Sequence, residues 1–331
     1  MTAVAPTPEK PGKIKAFLRL VAIEHSVFAL PFAYLSALVA LAWPTGDHHT
    51  TDLGNVVDLF TTSGVLGTRE WIDLLLITVA MVSGRTFAMA ANRILDRKID
   101  ALNPRTMNRE LVTGAVSLRT AWIGAAVSLV VMAVAAGLLN WLCLVLFPLA
   151  VIPLVVYPYA KRFTNFPHYV LALAQAVAPV GAWLAITGTF AGSGPAWVLG
   201  AAVGLWIGGF DIIYACQDVE VDRRIGVHST PARFGAPTAL HISTVTHMIT
   251  FGLFVWFGEL VGLGWLWWVG LGLTAIAFAY QHIVVTPTDL SKVNRAFFTA
   301  NGFVGIALFL FALLDLILGG RFTPFADIIP L

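Results

Sequence analysis

The sequence predicts an all-α integral membrane protein, with nine transmembrane helices in one bundle, on three observations. Apolar residues make up 58% of the 331-residue chain against 11% charged, a balance outside that of soluble domains. They fall into long continuous runs, each near the roughly 20 helical residues that cross a hydrocarbon core. The runs do not alternate apolar with polar over about 10 residues as barrel strands do, and in lipid only helices and closed barrels satisfy their own backbone.

In chain order the expected spans are Leu20 to Trp43, Leu74 to Asn92, Ala121 to Leu139, Trp141 to Tyr157, Tyr169 to Phe190, Ala196 to Cys216, Leu240 to Phe257, Leu263 to Ile283 and Phe297 to Leu318. Residues 1–19 read as a cytoplasmic N-terminal segment and 20–331 as a single transmembrane domain. The first span carries Glu24 and His25, is longer than a signal-peptide core and is not followed by a small-residue cleavage site, so it is expected to stay in the mature protein. Cys143 and Cys216 fall inside spans, where a free thiol packs as a small hydrophobe.

Charge sets the orientation. Lys10, Lys13, Lys15 and Arg19 precede the first span. Alternate connections carry Arg93, Arg97, Lys98, Arg105, Arg109 and Arg119, then Lys161 and Arg162, then Arg223, Arg224 and Arg233, then Lys292 and Arg295. Of the 20 Lys and Arg residues this leaves only Arg69, Arg85 and Arg321. The positive-inside rule makes the N-terminus and the even-numbered connections cytoplasmic, in the cell's inner, or cytoplasmic, membrane. Nucleic acid is not an expected partner; the lipid bilayer is.

The same rule does not explain acid in the basic loops. Asn92, Asp96 and Asp100 are spaced i, i+4, i+8 and share a face if the helix continues. Tyr214, Asp218 and Asp222 repeat that spacing. Like charges one turn apart repel by a few tenths of a kcal/mol, so either these are solvated helix ends with local ion pairs, or the rows hold a counterion. Mg2+ takes oxygen ligands and binds through one or two carboxylates plus substrate phosphates, with Arg and Lys holding the remaining phosphate oxygens. The rows also resemble each other: 126 residues separate Asp96-Arg97-Lys98-Ile99 from Asp222-Arg223-Arg224-Ile225, and Asn92 from Asp218. A pseudo-repeat would bring them across a central cavity.

These residues resemble the UbiA family of intramembrane prenyltransferases, whose members carry N-D-x-x-D-x-x-x-D after the second helix and D-x-x-x-D after the sixth. Arg85 seven residues before Asn92, Arg105-Thr106-Met107-Asn108-Arg109, Gly114-Ala115-Val116, Tyr157-Pro158 with Lys161-Arg162, and Asp218 to Asp222 running into Ile225-Gly226 and Ser229-Thr230 follow the family order. The resemblance implies a nine-helix bundle around a central cavity and Mg2+-dependent transfer of a polyprenyl group from polyprenyl diphosphate to an aromatic acid acceptor. It assigns metal and catalytic roles to Asp96, Asp100, Asp218 and Asp222 with Asn92 as a further metal ligand. Diphosphate binding falls to Arg105, Arg109, Lys161 and Arg162, and acceptor binding to Arg85, Asp211 and Tyr214. The chain departs from the pattern at Arg93, where Asp is common, at Glu110, where Pro often follows Arg109, and at Glu24-His25. The run from Ile23 to Pro31 looks like the branch that prenylates a dihydroxynaphthoate in menaquinone synthesis rather than 4-hydroxybenzoate in ubiquinone synthesis.

Other readings are a secondary transporter with an acidic cytoplasmic cavity, a lipid-binding scaffold without turnover, and a family enzyme with a different acceptor. A transporter would be expected to hold its acids near the bilayer midplane, whereas these sit at helix ends. Asp315, near the far end of the last span, is expected at the membrane interface. His48, His49, His241, His247 and His282 show no zinc-ligand spacing.

Overall fold

In the computed structural model the described residues are 17, 18, 20, 21, 30–42 and 68–318. They contain no β-strand, and their helices are α1 (Leu30–Ala42), α2 (Thr68–Asp100), α3 (Glu110–Thr113), α4 (Leu118–Leu139), α5 (Trp141–Ala160), α6 (Pro167–Thr187), α7 (Gly194–Ala215), α8 (Val219–Ile225), α9 (Thr230–Phe234), α10 (Ala236–Val261), α11 (Trp265–Val284) and α12 (Val293–Leu318). Eight apolar helical stretches among them are long enough to cross a membrane; α1, 13 residues long, is a shorter apolar helix. It occupies the second half of the expected first span. Glu24 and His25 lie outside the described residues.

The bundle is built around α7, which is buried along most of its length. It packs most extensively on α6 and α10, and its side toward α6 carries Gly200, Gly204 and Gly208. A Cβ at Gly204 would stand 2.5 Å from the carbonyl oxygen of Ala172, and one at Gly200 would stand 2.8 Å from that of Ala176. With hydrocarbon as solvent there is no hydrophobic drive between helices, so close backbone packing through small residues does that work. Trp183, Trp206, Trp267, Phe32, Phe254 and Phe257 fill the core behind this contact. By contrast α5, with Pro148, Pro153 and Pro158 inside it, lies at the periphery. Large exposed side chains such as Val130, Leu149 and Ile283 face outward there and elsewhere, as a lipid-facing surface requires.

Helix ends are closed by partners from other helices. Asn140 caps α5 by accepting the Cys143 N–H at 2.9 Å, and its amide donates to the carbonyls of Leu184 and Ala185 at the end of α6. Asp315 of α12 is buried, and it accepts the backbone N–H groups of Gly264 and, at 3.2 Å, Leu266. A carboxylate on these orphan donors satisfies the start of α11. His247 and His282, far apart in sequence, meet with Nδ1 and Nε2 2.8 Å apart between α10 and α11.

Candidate active site

Both acidic rows stand at one end of the bundle. The first lies on a continuous helix, since α2 runs to Asp100. The second does not. After α7 ends at Ala215 a 3-10 turn, Cys216–Asp218, intervenes before α8, so Tyr214, Asp218 and Asp222 do not share one α-helical face. The Gln217 side chain donates to the Tyr214 carbonyl at 3.2 Å and occupies an acceptor that a continuing helix would use. Gly226, at φ 72°, then closes α8 in the left-handed conformation that favours glycine.

Every one of the four aspartates is held. Asp96, 1% exposed, is bonded by Lys161 Nζ and at 3.3 Å by Arg162. Asp100 accepts from Arg109 at 2.6 Å. Asp218 takes a two-pronged contact from Arg105, Nε at 3.0 Å and Nη2 at 2.5 Å, together with the Asn103 amide at 3.0 Å. Asp222 accepts from the Ser229 hydroxyl at 3.0 Å. Arg105 thus reaches from the loop after the first row to the second row and joins them. Burial alone would lower its pKa, but the hydrogen bonds and charge of Asp218 outweigh that and raise it above its usual value. Its guanidinium also lies 5.1 Å from the Tyr214 ring centroid and donates to the Tyr214 hydroxyl at 3.2 Å.

The loop after α8 closes the frame. His228 donates its backbone N–H to the Lys161 carbonyl at 2.8 Å, and Thr230 Oγ1 donates to the Asn165 carbonyl at 2.9 Å. The turn that carries Lys161 and Arg162 is therefore fixed against the second acidic row.

Beside this charged end opens a cavity of about 840 Å3 between α2, α4, α5, α6 and α7. Its walls are mostly aliphatic and aromatic, including Met81, Met132, Leu146, Phe147 and Trp197. Its polar lining comprises Arg85, Asn92, Arg93, Arg109, Tyr157, Asp211 and Tyr214, with Gln175 farther along α6. Asn92 donates to the Tyr157 hydroxyl at 3.0 Å, and Arg85 Nε is buried with no hydrogen-bond partner among the described residues. Asp96, Asp100, Asp218, Asp222, Arg105, Lys161 and Arg162 are not among its lining residues.

The structure therefore brings together all twelve residues singled out from the sequence. The sequence reading missed Asn103, Ser229 and His168 as direct partners of site carboxylates, and Tyr157 as a cavity residue. Tyr157 and Ser229 stood in recognised motifs without a role. Asn103 and His168 gave no signal, because their partners are 115 and 43 residues away.

Hard oxygen donors on two neighbouring elements fit Mg2+. No three acidic, histidine or cysteine groups among the described residues converge to hold a metal, so the set does not form an all-protein cage. It fits an ion that completes its shell with waters and substrate phosphate oxygens, the ordinary habit of Mg2+.

Residues 60–311 match the UbiA prenyltransferase family. The 4-hydroxybenzoate solanesyltransferase of Synechocystis sp. is 34% identical over 244 residues, covering 71% of this chain and 80% of that one. A 4-hydroxybenzoate octaprenyltransferase of Xanthomonas campestris is 30% identical over 309 residues, 92% of this chain and 93% of that one. An apo UbiA homolog from Aeropyrum pernix superposes with a TM-score of 0.74 at 33% identity, over 88% of this chain and 98% of that one. A UbiA homolog from Archaeoglobus fulgidus, bound to DMAPP and Mg2+, shares the fold at a TM-score of 0.61 and 20% identity, over 91% of this chain and 98% of that one. Its apolar helices and these likenesses make the chain a multi-pass membrane protein, and it belongs to the UbiA prenyltransferase family.

Proposed function

We propose that the chain transfers a polyprenyl group from polyprenyl diphosphate to an aromatic acid, 4-hydroxybenzoate or a dihydroxynaphthoate, in quinone synthesis. The supporting observation is the cavity itself: a mostly apolar chamber that opens next to paired carboxylates and cations. That suits a substrate with a long hydrocarbon tail and a charged head. The named relatives act on 4-hydroxybenzoate. Membership of a prenyltransferase family favours this reading over transport.

Asn92, Asp96, Asp100, Asp218 and Asp222 would hold Mg2+ together with the diphosphate. When bound, Mg2+ draws charge from the leaving group as a Lewis acid. Arg105, Arg109, Lys161 and Arg162 turn from their carboxylates toward phosphate oxygens, with Arg105 suited to two-pronged contact. Departure of the diphosphate leaves an allylic cation, which the aliphatic walls shield from water and which the ring faces of Tyr214 and Tyr157 stabilise. Arg85, with a buried unsatisfied N–H in the cavity wall, binds the carboxylate of the acceptor. The basic loops put this end on the cytoplasmic side of the inner membrane, and the tail enters between helices from the bilayer.

Competition between 4-hydroxybenzoate and 1,4-dihydroxy-6-naphthoate, with mass-spectrometric identification of the product, tests the acceptor. Prenylated product from one of them confirms an aromatic acid and names the quinone. Turnover of prenyl diphosphate with neither acceptor consumed refutes it.

A further inference from the structure

Along α6 the cavity wall is aliphatic or glycine from Leu171 to Ala185, with a single polar exception, Gln175. An amide at membrane depth is costly unless something hydrogen-bonds it, and Gln175 has no hydrogen-bond partner among the described residues. The backbone repeats the pattern. Pro179 stands one turn farther along α6 and, having no N–H, leaves the carbonyl of Gln175 without its intrahelical donor. The carbonyl of Pro179 itself accepts the Ser36 hydroxyl at 2.6 Å. The wall is thus polar at this one point, and no side chain of α1 serves Gln175 as Ser36 serves Pro179.

The level of Gln175 in the bundle gives that polarity a meaning. The helices α2 and α6 run antiparallel, α2 ending and α6 beginning at the charged end, and at their far end Leu74 and Ile77 of α2 share a buried cluster with Ala182 and Ala185 of α6. Eight residues lead from Ile77 to Arg85 and seven from Ala182 to Gln175, about 12 and 11 Å of helix rise toward the charged end. Arg85 and Gln175 therefore line the cavity at one depth from two different helices. Arg85 also has no hydrogen-bond partner among the described residues. Of the two substrates, the prenyl tail offers no hydrogen-bonding atom and the diphosphate belongs with the cations of the charged end. What remains for an unpaired guanidinium and an unpaired amide is the polar group of the acceptor. A carboxylate suits both, since it has two oxygens and only accepts hydrogen bonds.

We infer that Gln175 is a specificity-determining residue of the acceptor pocket, its amide N–H donating to one oxygen of the carboxylate whose other oxygen Arg85 holds from α2; this deepens the aromatic-acid reading above and rests on it. Arg85 supplies the charge and Gln175 the second direction, so that the ring plane is fixed as well as its polar end. Acceptors with a carboxylate are favoured over phenols without one by both residues together.

Steady-state kinetics of wild type, Gln175→Met and Gln175→Glu, with the aromatic acid and the prenyl diphosphate varied in turn, test the assignment. Gln175→Met keeps the length of the side chain and removes the donor, and should raise the KM for the aromatic acid about 10-fold. Gln175→Glu keeps the shape and sets a like charge beside the carboxylate, and should raise it by about 100-fold or more. The KM for the prenyl diphosphate should stay within about 2-fold of wild type in both variants, a split that a structural role in α6 would not produce. An unchanged KM for the acid in Gln175→Met, a rise in Gln175→Glu no larger than in Gln175→Met, or equal rises for both substrates overturns the role of Gln175 and leaves the prenylation reading standing. No ring-prenylated product from wild type with any aromatic acid overturns both.

Discussion

At the residue scale the site is a set of charge pairs that substrate must exchange. Arg105 meets Asp218 through two nitrogens, and only a planar guanidinium makes that fork. Arg105→Lys should therefore lower kcat/KM for the prenyl diphosphate by about 10- to 100-fold, the worth of a charge-assisted hydrogen bond, measurable by steady-state kinetics at saturating acceptor. Arg85 sits deeper and has no partner for Nε. Arg85→Ala should raise the KM for the aromatic acid by about 10- to 100-fold while the KM for the diphosphate stays near its wild-type value. Equal changes in both would contradict an acceptor role. The charged residues were legible because carboxylates and arginines beside apolar spans are costly and have a narrow range of uses. Asn103 and His168 were not, since a neutral polar side chain acquires meaning only from the distant carboxylate it touches.

At the element scale, apolar run length located the long helices α2, α4, α5, α6, α7, α10, α11 and α12 but not the short α3, α8 and α9, with edges displaced by a few residues where polar turns of helix extend past the hydrocarbon. Run length could not foresee the 3-10 turn at Cys216–Asp218, which depends on local hydrogen bonds and on the grip of Arg105 and Asn103 on Asp218. Nor does hydropathy reveal that Gly200, Gly204 and Gly208 form a contact stripe, because glycine in an apolar run has no signature of its partner. That stripe carries a prediction. Gly204→Ala places a methyl 2.5 Å from the Ala172 carbonyl oxygen and should cost about 1–3 kcal/mol through overpacking, seen as a lower thermal midpoint in detergent. Gly272→Ala in α11 meets nothing within 4 Å and should leave that midpoint unchanged or slightly raised, since alanine is the better helix former.

At the scale of the whole molecule, the two acidic rows gain their significance from being at one end of one cavity. Their likeness at a 126-residue offset suggested as much, but the chamber itself, formed by α2, α4, α5, α6 and α7, is a product of packing that no single segment encodes. Asp96, Asp100 and Asp218 are paired with arginine or lysine, so metal and diphosphate should bind as a unit. Calorimetry with Mg2+ alone should show binding at least 10-fold weaker than with inorganic diphosphate present, since the metal alone must displace Arg105 and Lys161 without offering them a new anion. Affinity independent of diphosphate would mean that the carboxylates form a metal site by themselves.

The measurement that bears most directly on the account is product formation by the purified protein with Mg2+, a long-chain prenyl diphosphate and an aromatic acid, beside Asp96→Ala and Asp218→Ala. The expected result is metal-dependent ring-prenylated product from wild type and loss of it in both variants, because one aspartate from each row serves the same diphosphate. Full activity in either variant would contradict a single site built from both rows.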